Sequence, residues 1–226
     1  MKGAESVNGE PYKDREHAGR VLAEQLAAYR GQPDVLVLGL PRGGVPVAAQ
    51  VARAIDAPLD VLIVRKIGFP QQPEFAMGAI ASIAGAVQTV RNQYAVDLVG
   101  PASTRDGVFD HVVARESEEL KRRQHAYRDD RPPLEVEGRT IILVDDGLAT
   151  GATMRAAIAA VRGERPARLV AAVPVGSREA CDEIGQLVDQ LVCLSVPQPF
   201  WAVGQAYERF DQTSDEEVRR LLKNGS

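Results

Sequence analysis

The chain has 226 residues, of which 45% are hydrophobic and 26% charged, and its formal net charge is −4 at neutral pH. This length suits a single domain, and the composition is typical of a folded chain rather than a disordered one. The mild acidity argues against a protein that binds nucleic acids through bulk positive charge.

Short apolar runs alternate with helical patterns along the chain. Asp14 is placed to cap a first helix that ends near Gly31, and Pro46 is well placed as the first residue of a second helix. Ser177 and Ser214 are placed to cap later helices. The apolar runs are continuous and lie at 35–38, 61–64, 141–144, 169–173 and 191–194.

Continuous apolar runs are typical of strands that are buried on both faces of a parallel sheet. Their alternation with helices indicates successive strand-helix-strand units. We therefore predict an α/β fold: a doubly wound, mostly parallel sheet flanked by helices, with a small hood from the terminal segments. The whole range 1–226 is predicted as one domain, with a hood or tail at 195–226.

Two stretches depart from this alternation. Residues 68–93 mix Gly, Pro and Ala with small apolar residues, which predicts a mobile loop near 67–79 followed by a hairpin. The charged stretch 104–128 predicts a long helix. Its basic cluster 121–123 is flanked by three glutamates, so we expect a solvated helix face there rather than a phosphate contact.

Several features bear on the compartment. No apolar run reaches the ~20 residues of a membrane span, and the polar start of the chain lacks the apolar stretch of a signal peptide. Cys181 and Cys193 have neither the spacing of a metal site nor that of a redox motif. We therefore expect a cytoplasmic protein with no membrane partner and no nucleic-acid partner.

The most informative segment is 141–155, where an apolar strand leads through Asp145 and Asp146 into a loop of Gly, Ala and Thr. Ligands of an open α/β sheet bind outside the carboxyl ends of its strands, where this loop falls. Gly147 and Gly151 allow successive backbone amides to face inward, next to a helix N-terminus. The pattern predicts a phosphate site, and the acids predict neighbouring sugar hydroxyls or a magnesium ion with its waters.

Two other segments also carry groups suited to anions. Arg65 and Lys66 are adjacent cations at a predicted strand end, where they either bind phosphate oxygens or form a surface ion pair. A glycine-rich turn before the second helix offers backbone donors with little side chain in the way. This turn consists of Pro41, Arg42, Gly43 and Gly44.

Together, these segments resemble the type I phosphoribosyltransferases. Residues 144–153, VDDGLATGAT, resemble the family's signature for binding phosphoribosyl pyrophosphate (PRPP). Residues 38–46, LGLPRGGVP, resemble the family's pyrophosphate loop. Residues 64–66 lie where family members begin the mobile loop that closes over the substrate. The resemblance covers roughly residues 15–195, the usual span of such a domain.

The resemblance implies a Mg²⁺-dependent transfer of the phosphoribosyl group from PRPP to a nitrogen acceptor, with release of pyrophosphate. It implies that Asp145 and Asp146 hold the ribose hydroxyls and order the metal, directly or through water. Arg65, Lys66 and the turn at 41–44 would stabilise the departing pyrophosphate. The 5′-phosphate would be held by Gly147, Leu148, Ala149, Thr150, Gly151, Ala152 and Thr153.

The sequence does not identify the acceptor. Phe200 and Trp201 are candidates for an acceptor pocket that stacks a nucleobase; otherwise, this aromatic segment is a tail packed on the core or a homodimer contact. No histidine lies in the signature segments, so no general base is predicted. Two other functions remain open: a non-catalytic PRPP-binding regulator, and a different nucleotide or phosphosugar enzyme, such as a hydrolase, with the same phosphate loop.

Overall fold

The computed structural model describes residues 10–69, 72–83, 86–91, 102–128 and 135–224. The strands are β1 (Val35–Gly39), β2 (Leu59–Val61), β3 (Ile63–Phe69), β4 (Gln72–Ile83), β5 (Ala86–Arg91), β6 (Thr140–Val144), β7 (Arg168–Val175) and β8 (Gln190–Ser195). The helices are α1 (Arg15–Gln25), α2 (Gly44–Ile55), α3 (Ala102–Arg128), α4 (Ala152–Gly163), α5 (Arg178–Gly185) and α6 (Asp215–Asn224). Short 3₁₀ turns lie at Ala27–Tyr29 and Val203–Ala206.

A five-stranded parallel sheet with the order β2-β1-β6-β7-β8 forms the centre of the fold. Successive residues of β1 enter different cores: Val35 and Val37 pack with α1, α2 and α6, whereas Leu36 and Leu38 pack with α4 and α5. Because both faces are covered, the strands consist mainly of apolar residues. The predicted α/β fold with a mostly parallel sheet between helices is therefore confirmed.

The helix caps follow the sequence pattern closely. The Asp14 carboxylate accepts a hydrogen bond from the His17 amide at 2.8 Å, and the Ser214 hydroxyl accepts one from the Glu217 amide at 3.1 Å. These bonds satisfy amide donors that a helix start leaves without intrahelical partners. The second helix begins at Gly44, so Pro46 lies within its first turn rather than at its first position.

The predicted strand at 61–64 is divided between two sheets. β2 ends at Val61, and the amide of Leu62 still donates to the carbonyl of Gly39 at 3.1 Å. From Ile63 onward the chain belongs to a separate antiparallel sheet with the order β3-β4-β5. A continuous apolar run could not reveal this boundary, because both parts of the run are buried.

The prediction of a loop near 67–79 is wrong, because the described residues of this stretch belong to strands. β3 and β4 pair antiparallel through this stretch, with Lys66 opposite Ala79 and Ile67 opposite Gly78. The small residues Ala79 and Ala81 are instead buried together with Ile80, in a strand that packs against α3 and α4. Residues 70–71, which include the predicted loop residue Pro70, lie outside the described residues.

The long helix α3 carries the charged cluster that the sequence placed on a solvated face. Lys121 pairs with Glu118 at 3.2 Å and Arg122 pairs with Glu119 at 2.7 Å, each within one turn of the helix. Both basic side chains are exposed, which confirms the predicted solvated face. Among the helices described, none is both long enough and apolar enough to cross a bilayer.

Candidate phosphate and sugar site

Two loops meet at the carboxyl ends of the neighbouring strands β1 and β6. The strands pair in parallel with Gly39 opposite Val144, so the chain leaves both strands at the same edge of the sheet. The amide of Leu40 donates to the Val144 carbonyl at 2.9 Å, which holds the start of one loop against the other. The structure thereby brings the predicted pyrophosphate turn at 41–44 next to Asp145 and Asp146.

Gly43 and Gly44 allow this close approach. A Cβ atom at Gly43 would lie 2.0 Å from the Oδ2 atom of Asp146. A Cβ atom at Gly44 would lie 2.6 Å from the carbonyl oxygen of Val144 and 2.9 Å from the Cα atom of Asp145. No side chain fits at either position, so the glycine pair is needed for packing against the acids.

Gly44→Ala is expected to lower the free energy of unfolding by about 1–3 kcal/mol, because the new methyl group meets backbone atoms that cannot rotate away. Gly107→Ala is the matched control. A Cβ atom there meets nothing within 4 Å, and Ala is better than Gly inside a helix by about 0.5–1 kcal/mol. Urea unfolding compares the variants, and equal stabilities would contradict the close packing of the two loops.

The two acids form a strained electrostatic environment. The Asp146 amide donates to the Asp145 Oδ1 atom at 2.9 Å. Burial, followed by the charge of Asp146, raises the pKa of Asp145 well above its usual value. Burial also raises the pKa of Asp146, although the hydrogen bond and charge of Arg15 oppose this shift. Two mostly buried carboxylates with raised pKa values favour a bound cation or hydroxyl donors.

Arg15 is a site residue that the sequence motifs did not indicate. Its Nε atom donates to the Asp146 Oδ2 atom at 2.8 Å, and only 12% and 16% of the two side chains are exposed. Its Nη1 atom donates to the Asp211 carbonyl at 2.6 Å, and its Cζ atom lies 3.9 Å from the ring centre of Phe210. The only sequence signal was the capped start of the first helix.

The terminal segments meet beside the acids. The Tyr207 hydroxyl donates to the Asp146 carbonyl at 2.6 Å, and burial with the Asp146 charge raises the pKa of Tyr207. Tyr12 forms a parallel bridge with Tyr207, whose ring stacks on Phe210 with 5.0 Å between ring centres. Segments from both ends of the chain therefore buttress the loop that carries Asp146.

The predicted 5′-phosphate loop surrounds a cavity of ≈ 140 Å³. Within the described part of the chain, the backbone amides of Ala149, Thr150, Gly151 and Thr153 have no hydrogen-bond acceptor. Gly151 has φ +71°, a conformation that favours glycine, immediately before α4 begins. All seven residues predicted to bind the phosphate line the cavity, together with Asp145, Met154 and Val203.

The loop is held from behind through its carbonyl groups. The Ser177 amide donates to the Leu148 carbonyl at 2.9 Å, and the Ser177 hydroxyl donates to the Ala149 carbonyl at 2.8 Å. The amide of Leu148 donates to the Val175 carbonyl at 2.9 Å. These bonds fix the loop without consuming the amides that follow Leu148, which leaves those donors available to an anion.

Comparison with known proteins agrees with this geometry. The family model for the phosphoribosyl transferase domain matches residues 11–208. This chain belongs to the phosphoribosyl transferase domain family. The Mycobacterium tuberculosis protein "Putative phosphoribosyl transferase Rv0571c" is 44% identical over 211 residues, which are 93% of this chain and 46% of that protein. The chain therefore spans about half the length of that relative.

A solved structure resembles this phosphoribosyl transferase domain closely. It is the crystal structure of TT1426 from Thermus thermophilus, which has 42% sequence identity and a TM-score of 0.83. The match covers 96% of this chain and 99% of that chain. The overall fold described above therefore occurs in a structure solved by crystallography.

Arg65 and Lys66, predicted at a strand end, lie within β3 instead, and Arg65 forms the ion pair that was one of its two predicted alternatives. Arg65 in the phosphoribosyl transferase domain donates to Glu116 Oε2 at 2.9 and 2.6 Å, and Arg115 binds the other carboxylate oxygen. Burial alone would raise the pKa of Glu116, but hydrogen bonds from Arg65 and Arg115 hold it below its usual value. The Lys66 backbone lies in β3, and its side chain is outside the described residues. A catalytic role for either cation stays a prediction.

The predicted acceptor residues lie in unlike surroundings. Phe200 packs against the core on the side of α1 and α2, whereas 81% of Trp201 is exposed. The Trp201 amide donates to the Gln205 side chain at 2.7 Å, which fixes the backbone below the indole ring. Of this predicted pair, only Trp201 presents its ring to solvent for stacking.

Proposed function

We propose that this chain catalyses the Mg²⁺-dependent transfer of the phosphoribosyl group from PRPP to a nitrogen acceptor, with release of pyrophosphate. One observation carries the proposal: a cavity lined by residues 147–153 and Asp145, whose loop amides have no acceptor among the described residues. Such amides at a helix N-terminus suit a phosphate dianion. Membership of the phosphoribosyl transferase domain family supports the same chemistry.

Each part of the site has a separate task in this reaction. The amides and hydroxyls of 149–153 would hold the 5′-phosphate, and Asp145 and Asp146 would accept hydrogen bonds from the ribose hydroxyls. The turn at 41–44 would bind the pyrophosphate through the amides of Arg42 and Gly43, because the Gly44 amide already donates to the Leu40 carbonyl at 3.0 Å. The Arg42 guanidinium, which lies 3.7 Å from Asp215, would assist. A displacement at the anomeric carbon needs no covalent protein intermediate, so positioning and charge stabilisation supply the catalysis.

The two acids also fit a magnesium ion. Asp145 uses Oδ1 to accept the Asp146 amide, and Asp146 uses Oδ2 to accept Arg15. No hydrogen bond from another described residue reaches the other oxygen of either carboxylate. No group of three metal-binding side chains gathers among the described residues. This suits Mg²⁺, which is usually held by one or two carboxylates, waters and substrate phosphates. When bound, the ion would neutralise charge on the pyrophosphate.

Calorimetric titration with PRPP, with and without Mg²⁺, tests the binding step. A screen for pyrophosphate release with nucleobases and amines as acceptors then tests turnover. Failure to bind PRPP with Mg²⁺ would refute the proposed function. Binding without turnover would favour the second candidate, a non-catalytic PRPP-binding regulator. The ion pair between Arg65 and Glu116 supports that candidate, because Arg65 was expected to bind the pyrophosphate and instead binds a carboxylate.

The acceptor proposed for the screen is a nucleobase. The exposed ring of Trp201 offers a stacking surface, and aromatic stacking on a base tolerates many base identities. Trp201→Ala should therefore raise the KM for an active base without changing PRPP affinity.

A homodimer contact through the aromatic segment that contains Phe200 and Trp201 also remains a prediction. Sedimentation of the purified chain tests it.

Thr150→Val is expected to weaken ribose 5-phosphate binding by about 1–2 kcal/mol, because a hydroxyl donor to a charged phosphate is lost. Thr150 is exposed, and its hydroxyl only accepts a long bond from Ala152 at 3.4 Å, so the unfolding temperature should change little. Calorimetry measures the affinity for ribose 5-phosphate. The affinity for pyrophosphate is the control and should stay constant. Unchanged ribose 5-phosphate affinity would refute the assignment of this loop.

A further inference from the structure

The fold brings the two cysteines of the chain together. Cys181 lies in α5 and Cys193 in the edge strand β8, and their sulfur atoms are 3.2 Å apart. Both are free thiols, and the chain has no other cysteine. The spacing of the two cysteines in the sequence matches no redox motif, and it gave no indication that the fold brings their sulfur atoms together. Only packing of the helix against β8 creates the pair.

The backbone beneath the pair leaves room for both sulfurs. A Cβ atom at Gly176 would lie 2.5 Å from the Cys181 sulfur and 3.3 Å from the Cys193 sulfur. The Gly176 amide donates to the Ser195 carbonyl at 3.0 Å, which fixes this position between β7 and β8. The two thiols therefore share a space that exists because residue 176 has no side chain.

The two thiols are chemically unequal. Their shared hydrogen bond lowers the pKa of Cys181 and raises the pKa of Cys193. Cys181 is the thiol that ionises first, and a thiolate is the nucleophilic form of cysteine. Neither thiol is fully exposed: Cys181 is 7% exposed and Cys193 is half-buried.

We propose that Cys181 and Cys193 form a redox-active pair that closes to an intramolecular disulfide on exposure to hydrogen peroxide. The Cys181 thiolate attacks one peroxide oxygen, the O–O bond breaks, and the leaving oxygen departs as water after taking up a proton. The Cys193 thiol then loses its proton and attacks the Cys181 sulfenic acid, whose S–O bond breaks to release a second water. Two thiols and one hydrogen peroxide thus give one disulfide and two waters.

The disulfide would join α5 to the edge strand next to the proposed phosphate site. Ser177 caps α5 and also binds the carbonyls of Leu148 and Ala149. The helix α5 also approaches Gly151, since a Cβ atom placed on Gly151 would lie 3.5 Å from the Cβ atom of Ala180. The proposed bond is therefore one turn of helix away from the loop that lines the cavity. The chemistry itself does not depend on the proposed transferase function.

The test exposes the reduced 226-residue chain to a small excess of hydrogen peroxide and then removes the oxidant. Intact mass should fall by two hydrogen masses, both thiols should become unreactive to maleimide after denaturation, and dithiothreitol should restore them. The same oxidation in denaturant should give a slower intramolecular disulfide, because the native contact is lost. Cys181→Ser and Cys193→Ser are the matched controls, in which the intramolecular bond cannot form.

Two outcomes would overturn the proposal. One is a native protein that keeps two free thiols, or carries only sulfinic or sulfonic acids, while a small dithiol in the same solution is oxidised. The other is a disulfide that links two chains, seen as a dimer on a non-reducing gel. A peptide map that joins the segments around 181 and 193 within one chain supports it.

Discussion

Asp145→Asn is expected to stabilise the fold while lowering PRPP affinity about 100-fold, a cost equivalent to losing hydrogen bonds between the carboxylate and the ribose hydroxyls. The amide has the shape of the carboxylate, and its oxygen can still accept the bond from the Asp146 amide. It carries no charge to bury beside Asp146, so the unfavourable interaction disappears. It also offers fewer acceptor positions to a sugar. Thermal unfolding and calorimetry measure the two effects separately.

The stability gain should depend on pH in a defined direction. The pKa of Asp145 is raised in the folded protein, so the folded state holds its proton more tightly than the unfolded state. The free energy of unfolding of the parent therefore falls as pH rises from near 4, the ordinary pKa of Asp, through the raised value. The advantage of Asp145→Asn should grow over this range and then level off.

Unfolding temperatures from pH 4 to pH 8, with a chelator present, check this expectation. Asp110→Asn, at an exposed position on α3, is the control and should change stability by less than about 0.5 kcal/mol. A stability difference between parent and Asp145→Asn that stays constant with pH would contradict burial of the Asp145 charge. A stabilised variant with unchanged PRPP affinity would instead contradict the proposed role in sugar binding.

Arg15→Met is expected to lower the free energy of unfolding by about 3 kcal/mol at neutral pH, because it leaves a mostly buried carboxylate without its cation. The guanidinium is held on three sides, by Asp146, the Asp211 carbonyl and the Phe210 ring. Met retains much of the apolar volume, so the loss is chiefly electrostatic. Urea unfolding at neutral pH measures it.

Arg20→Met is the matched control for this substitution. Arg20 lies in the same helix and pairs with Glu16 at 3.8 Å, but both side chains are about half exposed, so the change should be under about 1 kcal/mol. The double variant Arg15→Met with Asp146→Asn should recover about 1–3 kcal/mol relative to the sum of the single changes. Strict additivity would show that the two side chains do not interact in solution.

The pairing of β3 with β4 shows why part of the fold escaped prediction. Residues 67–79 contain Gly, Pro and Ala, which suggest a loop when each residue is considered by its own preference. The strands β3 and β4 form there because each supplies the backbone partners that the other needs, as where Lys66 lies opposite Ala79. Strand preference depends strongly on cross-strand neighbours and burial, and neither is visible in a single segment.

The amino-acid sequence alone determined the features that depend on neighbours along the chain. These are the apolar runs of the parallel strands, the caps at Asp14 and Ser214, and the loop at 147–153 that lines the cavity. Caps and turns involve groups within a few residues of one another, so local residue types suffice to specify them. The segment VDDGLATGAT therefore revealed the family before any contact was known.

Only the tertiary structure decided which distant groups meet. Arg15 and Asp146 are 131 positions apart, Tyr207 and Asp146 are 61 apart, and Arg65 and Glu116 are 51 apart. No residue preference or periodicity encodes such a pair, because the partners are brought together by strand order and by helices packing on the sheet. The charge balance of the acids, the partner of Arg65 and the contact between the two cysteines are for this reason properties of the fold.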